Sequence, residues 1–211
     1  MTAITHHTPD AMLAAYASGN LPHPFALVVA AHVSLCLECR AALEAHQAVG
    51  GAVLEATPGE AVSDTLKDTL FARLEDPAPA EPVYRQTGAY PGPVMEALKG
   101  RPVRWKTLGM GVRQDILSAD AEGSVRLLYI PAGQAVPDHS HNGLELTLVL
   151  QGSFSDETGR FGVGDLEIAD AELEHTPVAD PGDACICLAA TDARLRFSGL
   201  MPRLLQPLFR I

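Results

Sequence analysis

Three residues near the N-terminus have the types and spacing of a metal centre. His32-Val-Ser-Leu-Cys36-Leu-Glu-Cys39 has the form H-x3-C-x2-C. His32 and Cys36 stand at i and i+4, which places them on one helix face. Cys36 and Cys39 form the C-x2-C knuckle that brings two thiolates to one ion. Zinc favours four N/S ligands in a tetrahedron, so one more donor is needed, and His6 and His7 are the nearest supply. Two other chemistries fit the same residues. Cys36 and Cys39 could be buried core thiols beside an ordinary helix histidine. They could also be a redox pair, but no βαβ pattern surrounds them.

A second set follows at Gly133-x5-His139-x-His141-x3-Glu145-x6-Gly152. Alternate residues of a strand share a face, so His139 and His141 point the same way. Glu145 joins them if the chain stays extended or turns locally through Asn142-Gly143. Two imidazoles and a carboxylate suit a divalent transition metal. Further on, Cys185-Ile186-Cys187 places two thiols on one face of a strand, too far apart for an easy disulfide. They are expected as two small buried hydrophobes, with a redox role only if that face lines a lumen beside the metal. His23 and His46 belong to neither set and are expected to face solvent.

These residues need elements to hold them. Thr8 can cap a helix, Pro9 fits its first position, and Gly19 stops it. A second helix is expected from about Pro24 through His32. A third runs from about Leu37 to Ala48, ending before Gly50-Gly51, and a fourth from Asp64 to Leu74 with Leu66, Leu70 and Leu74 as one stripe. Six prolines then fall between Pro77 and Pro102, as in an extended linker, with a short helix at Val94 to Lys99. Such a linker is expected to uncouple the stability of the parts it joins. From about Val103 the pattern becomes β. Short aliphatic runs such as Val125 to Ile130 and Leu146 to Leu150 are bounded by turn residues, as in a sandwich or barrel. The last twelve residues, Leu200 to Ile211, are expected to pack along that barrel. The division expected is residues 1–76, all-α; 77–102, linker; and 103–211, all-β.

The chain has 211 residues, of which 47% are hydrophobic, enough for globular cores. Its 15 basic and 26 acidic side chains give a net charge of -11. Binding to nucleic acid is driven by phosphate neutralisation, so a zinc-finger DNA binder is disfavoured. A basic protein partner is favoured instead, since opposite potentials steer association. Residues 1–76 carry nine of the acids and three of the bases. No Lys or Arg precedes Arg40, so the start lacks a signal peptide's basic region, and the longest apolar stretch is Phe25 to Ala31. A cytoplasmic protein without a membrane span is the expectation.

The first set resembles the zinc-binding anti-sigma domain, whose signature is an upstream His followed by H-x3-C-x2-C on a small helical bundle. His32, Cys36 and Cys39 match it directly. His7 fits the upstream position best because it directly precedes the Thr8-Pro9-Asp10 helix start, with His6 one residue away. The second set resembles the first motif of the cupins at every position, which implies a small jelly-roll barrel. The second cupin motif places His175 as the fourth ligand, after Gly164-Asp165 and before Pro177. Its usual Pro-x-Gly is absent, and Ala179 stands where the motif has Asn. As a whole the chain resembles zinc-binding anti-sigma factors that carry a cupin domain. That resemblance implies inhibition of a group IV sigma factor, release under singlet oxygen and no catalytic turnover. Two Zn(2+) sites per chain are expected, with the identity of the metal in the second site open. The rival expectation is a cupin enzyme, a dioxygenase or isomerase, with a zinc-stapled helical domain for oligomerisation. Cupin folds alone do not decide between the two.

Overall fold

The structure is a computed structural model that describes residues 3–74, 80–136, 139–140, 143–170, 173–193 and 196–197; for 139, 140, 196 and 197 it describes the backbone alone. Four helices come first: α1 (Asp10–Ala17), α2 (His23–Leu35), α3 (Leu37–Ala56) and α4 (Leu66–Leu74). A short α5 (Gly92–Ala97) follows within the proline-rich stretch. Pro9, not Thr8, is the N-cap of α1 and makes no side-chain cap bond. Thr8 is instead buried. α3 runs straight through Gly50-Gly51 to Ala56. Two interior glycines cost a helix about 1 kcal/mol each, and the surrounding Ala, Leu and Glu residues favour helix strongly enough to carry it past them.

Among the described residues twelve strands follow: β1 (Lys106–Gly109), β2 (Val112–Asp120), β3 (Gly123–Ile130), β4 (His139–Ser140), β5 (Glu145–Gln151), β6 (Ser153–Ser155), β7 (Arg160–Gly162), β8 (Leu166–Ala169), β9 (Glu174–His175), β10 (Val178–Ala179), β11 (Cys185–Thr191) and β12 (Arg196–Phe197). All pairings among the described residues are antiparallel. One six-stranded sheet has the order β1-β2-β3-β11-β5-β8, and two three-stranded sheets have the orders β10-β6-β7 and β12-β4-β9.

Side chains alternate across the six-stranded sheet, so each strand feeds two cores. On one side Val149, Cys185 and Cys187 pack with Phe154, Phe161 and Ala179 of the smaller β10-β6-β7 sheet. On the other side Val125, Leu127, Leu146, Leu148 and Leu188 share a core with Phe25, Val28 and Val29 of α2 and Leu13 of α1. Val94 and Leu98 of the proline-rich stretch belong to the same core. The expected uncoupling of helical and β parts is therefore not what the packing gives. α2 is apolar on every side, and such a helix must be buried; the outer face of the sheet covers it.

Arg101 fixes the chain where it enters the sheet. Its guanidinium donates to both oxygens of buried Asp115 at 2.7 and 3.3 Å, and Arg104 N–H donates to the same carboxylate. Among the described residues no single helix is long and apolar enough to cross a membrane. The C-terminal tail from Leu200 lies outside the described residues, as do Pro77 and Pro79 of the linker.

Candidate metal centres

The H-x3-C-x2-C run does not lie on one helix face. His32 sits in the last turn of α2, while Cys36 stands between α2 and α3 with extended backbone, φ -101° and ψ 113°. The two helices meet there at 116°. The elbow turns Cys36 and Cys39 back toward the His32 ring. Arg40 steadies it by donating to the carbonyls of Val33 and Ser34, which the end of α2 leaves unpaired.

The elbow and the segment before α1 converge. His32 Nε2 lies 3.2 Å from Cys39 Sγ. His7 Nδ1 lies 3.3 Å from Cys36 Sγ and 3.6 Å from Cys39 Sγ. The four donor atoms all fall within 4.8 Å of one another. A tetrahedral ion with zinc-like bond lengths sets N···S edges at about 3.6 Å, so this donor set fits such an ion. Both rings are also oriented from outside. The Gly164 carbonyl can only accept, so His32 carries its proton on Nδ1 and leaves Nε2 free to face the sulfurs. Glu38 lies 3.5 Å from His7 Nε2 and leaves Nδ1 facing inward. Outer partners of this kind fix tautomer and ring direction in metal sites.

His6 takes no part. Its ring packs against Phe161 at 4.4 Å between centroids, and its backbone N–H donates to Asp165. Burial above all pushes the His32 ring down to about 4; the Gly164 carbonyl works the other way, and nearby His7 adds to the fall. Burial pushes the Cys39 thiol up, opposed by Thr8 and reinforced by Cys36. A divalent cation bound between these donors would take the place of the thiol protons, which are released on binding.

The second set divides differently. His141 and the side chain of His139 lie outside the described residues. The His139 backbone pairs directly opposite His175 across β4 and β9. Glu145 opens β5 and accepts from the Thr147 hydroxyl at 3.1 Å. His175 is buried, and its Nδ1 donates to Asp156 at 2.8 Å and Glu167 at 3.1 Å. Asp156, Glu167 and His175 are thus a second cluster whose donor atoms could hold a cation. Sequence reasoning missed Asp156 and Glu167. Glu167 could have been found from Asp165-Leu166-Glu167, two acids in alternation on a β run, a pattern that sets both on one face.

Electrostatics in this cluster favour positive charge. Burial opposes charging of His175, yet its bonds to Glu167 and Asp156 outweigh that and push it up to about 9. Burial raises Glu167 to about 7 despite the His175 bond. Asp156 stays far below the usual carboxylate range; burial works against this, but bonds from Glu167, Thr158 and His175 prevail.

The remaining expectations concern single residues. His23 is exposed, but His46 is half-buried and pairs with Asp10 at 2.9 Å, joining α3 to α1. Cys185 and Cys187 are fully buried. Their sulfurs stand 3.4 Å apart, closer than a regular strand allows. The pairing of β11 with β5 shifts register between Ile186 and Cys187, and such a bulge re-aims side chains.

A family model described as the ChrR cupin-like domain matches residues 95–194. The chain is 56% identical over 214 residues to the anti-sigma-E factor ChrR of Cereibacter sphaeroides, covering 99% of both chains. A crystal structure of Rhodobacter sphaeroides SigE in complex with the anti-sigma ChrR is also similar. There the TM-score is 0.81 and the identity 55%, over 90% of this chain and 100% of that one.

Proposed function

Because the chain belongs to the family of the anti-sigma-E factor ChrR, we propose that it is an anti-sigma factor, a regulator that binds a group IV (extracytoplasmic-function) sigma factor and keeps it from RNA polymerase. The observation that carries this is the extent of the similarity, which runs through helical and β parts alike. The molecule also offers a surface for such a partner. Val49, Val53 and Leu54 of α3 and Leu70, Phe71 and Leu74 of α4 are more than half exposed. Exposed apolar side chains of this size, three on each helix, are candidates for a protein-binding face.

In this reading residues 1–76 inhibit, 77–102 connect, and 103–211 form the cupin part that receives the signal. Zinc occupies His7, His32, Cys36 and Cys39. A second divalent ion is held in the barrel by His139, His141, Glu145 and His175, with Asp156 and Glu167 behind His175. The protein acts in the cytoplasm, where sigma factors meet polymerase. Singlet oxygen alters the barrel, and the altered state binds the sigma factor less tightly. A signal can shift the equilibrium only by such a difference in affinity.

The test mixes purified full-length protein with the cognate group IV sigma factor. The expected result is a 1:1 complex on gel filtration and loss of run-off transcription from its promoter. A sigma factor that stayed unbound and active would refute the proposal. In a reporter strain, full-length protein carrying His175→Ala should repress but not release under photosensitiser and light. Normal release by that variant would put the sensor in Cys36 and Cys39.

A further inference from the structure

The turn between β7 and β8, Gly162-Val163-Gly164-Asp165, belongs to the barrel by sequence but directs its polar groups at the helical metal centre. The Gly164 carbonyl accepts from His32 Nδ1 at 2.9 Å. One oxygen of Asp165 accepts the backbone N–H of Thr5 at 2.7 Å and of His6 at 2.9 Å. The other accepts Gly162 N–H at 2.8 Å, so the carboxylate clamps its own turn to the N-terminal segment. Leu166 N–H closes the contact by donating to the His6 carbonyl at 3.2 Å. Asp165 itself is 5% exposed.

The backbones approach closely here. Gly164 has φ +92°, and a Cβ on it would stand 2.5 Å from Ile4 Cδ1. Only glycine allows both the turn and the seating of Ile4. Residues 4–6 are thereby held against the barrel, and His7 is the next residue. Two of the four donors of the helical cluster thus take their position from one turn of the barrel.

The same piece of chain reaches the second cluster. Glu167, two residues beyond Asp165 and about 7 Å further along an extended chain, accepts from His175 Nδ1. We propose that Asp165 is a positioning residue for the helical metal centre, and that β8 links the surroundings of His175 to the placement of His7 and His32 through the Gly164 carbonyl and the Asp165 carboxylate. A shift of β8 moves both acceptors together and loosens both histidines while touching neither thiol. This supplies a route for the signal and, for its consequence in sigma-factor release, rests on the function proposed above.

The test uses the full-length chain loaded with cobalt(II), whose thiolate charge-transfer band reports the Cys36/Cys39 site and is silent for a barrel site without sulfur. Loss of the band to excess EDTA is timed. Asp165→Ala, which frees the segment that carries His7, should accelerate it about tenfold, the lower end of what loss of a direct outer partner costs a metal site. Asp165→Asn keeps one acceptor oxygen and should fall between. Asp180→Ala, which removes a barrel carboxylate bound to Ser153, Ser155 and Arg160, should match the unaltered chain. Equal rates for both Asp165 variants and the unaltered chain, or equal acceleration by Asp180→Ala, would overturn the positioning role.

For the link, Glu167→Ala should speed loss of the band and raise amide hydrogen exchange at Thr5 and His6, residues it does not touch. Unchanged band loss and unchanged exchange would overturn it. None of these readouts involves the sigma factor, so failure of the link and failure of the anti-sigma reading are separately visible.

Discussion

His32 donates a hydrogen bond from Nδ1 to the carbonyl of Gly164, 132 positions later in the chain and 2.9 Å away. Both ends are buried, and α2 lies on the outer face of the six-stranded sheet in one continuous apolar core. Helical cluster and barrel are therefore parts of a single packed unit, and their stabilities should move together.

That unity is measurable. Leu127→Ala removes a fully buried side chain of β3 from the shared core, and substitutions of this kind cost about 2–5 kcal/mol. Calorimetry should show one transition for the unaltered chain, and the variant should lower it as one transition. Two separate transitions, with only one lowered, would show that helices and barrel unfold independently.

Acid should weaken the metal-free protein in a defined window. The His32 ring titrates near 4 when folded and near 6.5 when unfolded, chiefly through burial. Between these values the unfolded chain holds the extra proton, so stability falls as pH falls from 6.5 toward 4 and is constant from this group above 6.5. The loss is of order 3 kcal/mol. Urea unfolding at steps across that range checks it, and His32→Gln should flatten the slope.

α4 has no buried residue. Phe71→Asp should therefore change the melting temperature by no more than a surface substitution does, within about 0.5 kcal/mol. It should nonetheless weaken sigma-factor binding by more than tenfold, because a charge placed in an apolar contact must be desolvated. Titration calorimetry with the sigma factor reads the second effect and thermal melting the first.

His175→Ala should lower metal content by one ion per chain and leave the cobalt thiolate band of the helical cluster in place. Elemental analysis beside the visible spectrum distinguishes the two sites. Loss of both signals together would place a single ion in the molecule.

Much of this was written in local spacing. H-x3-C-x2-C marked His32, Cys36 and Cys39 as neighbours because ligand chemistry is short-range, while spacing left the fourth donor open between His6 and His7 and only the resemblance to a family signature favoured His7. The strand at 123–130 was legible from its aliphatic run, since alternation and turn residues act locally.

What tertiary structure alone decided lies in contacts between distant segments. Spacing put His32 and Cys36 on one helix, but the chain breaks at Cys36, where the elbow serves the cluster better than another helical turn. Proline content suggested a free linker, yet Val94 and Leu98 are buried against α2 and the sheet. Asp156 and Glu167 reach His175 only because β8, β9 and the turn after β6 meet inside the barrel. Asp165 meets Thr5 and His6 across 160 and 159 positions, a pairing no local rule can contain. Periodicity assigns a residue to a face; which face packs on which is settled by the burial of α2 against the sheet, a property of the whole folded chain.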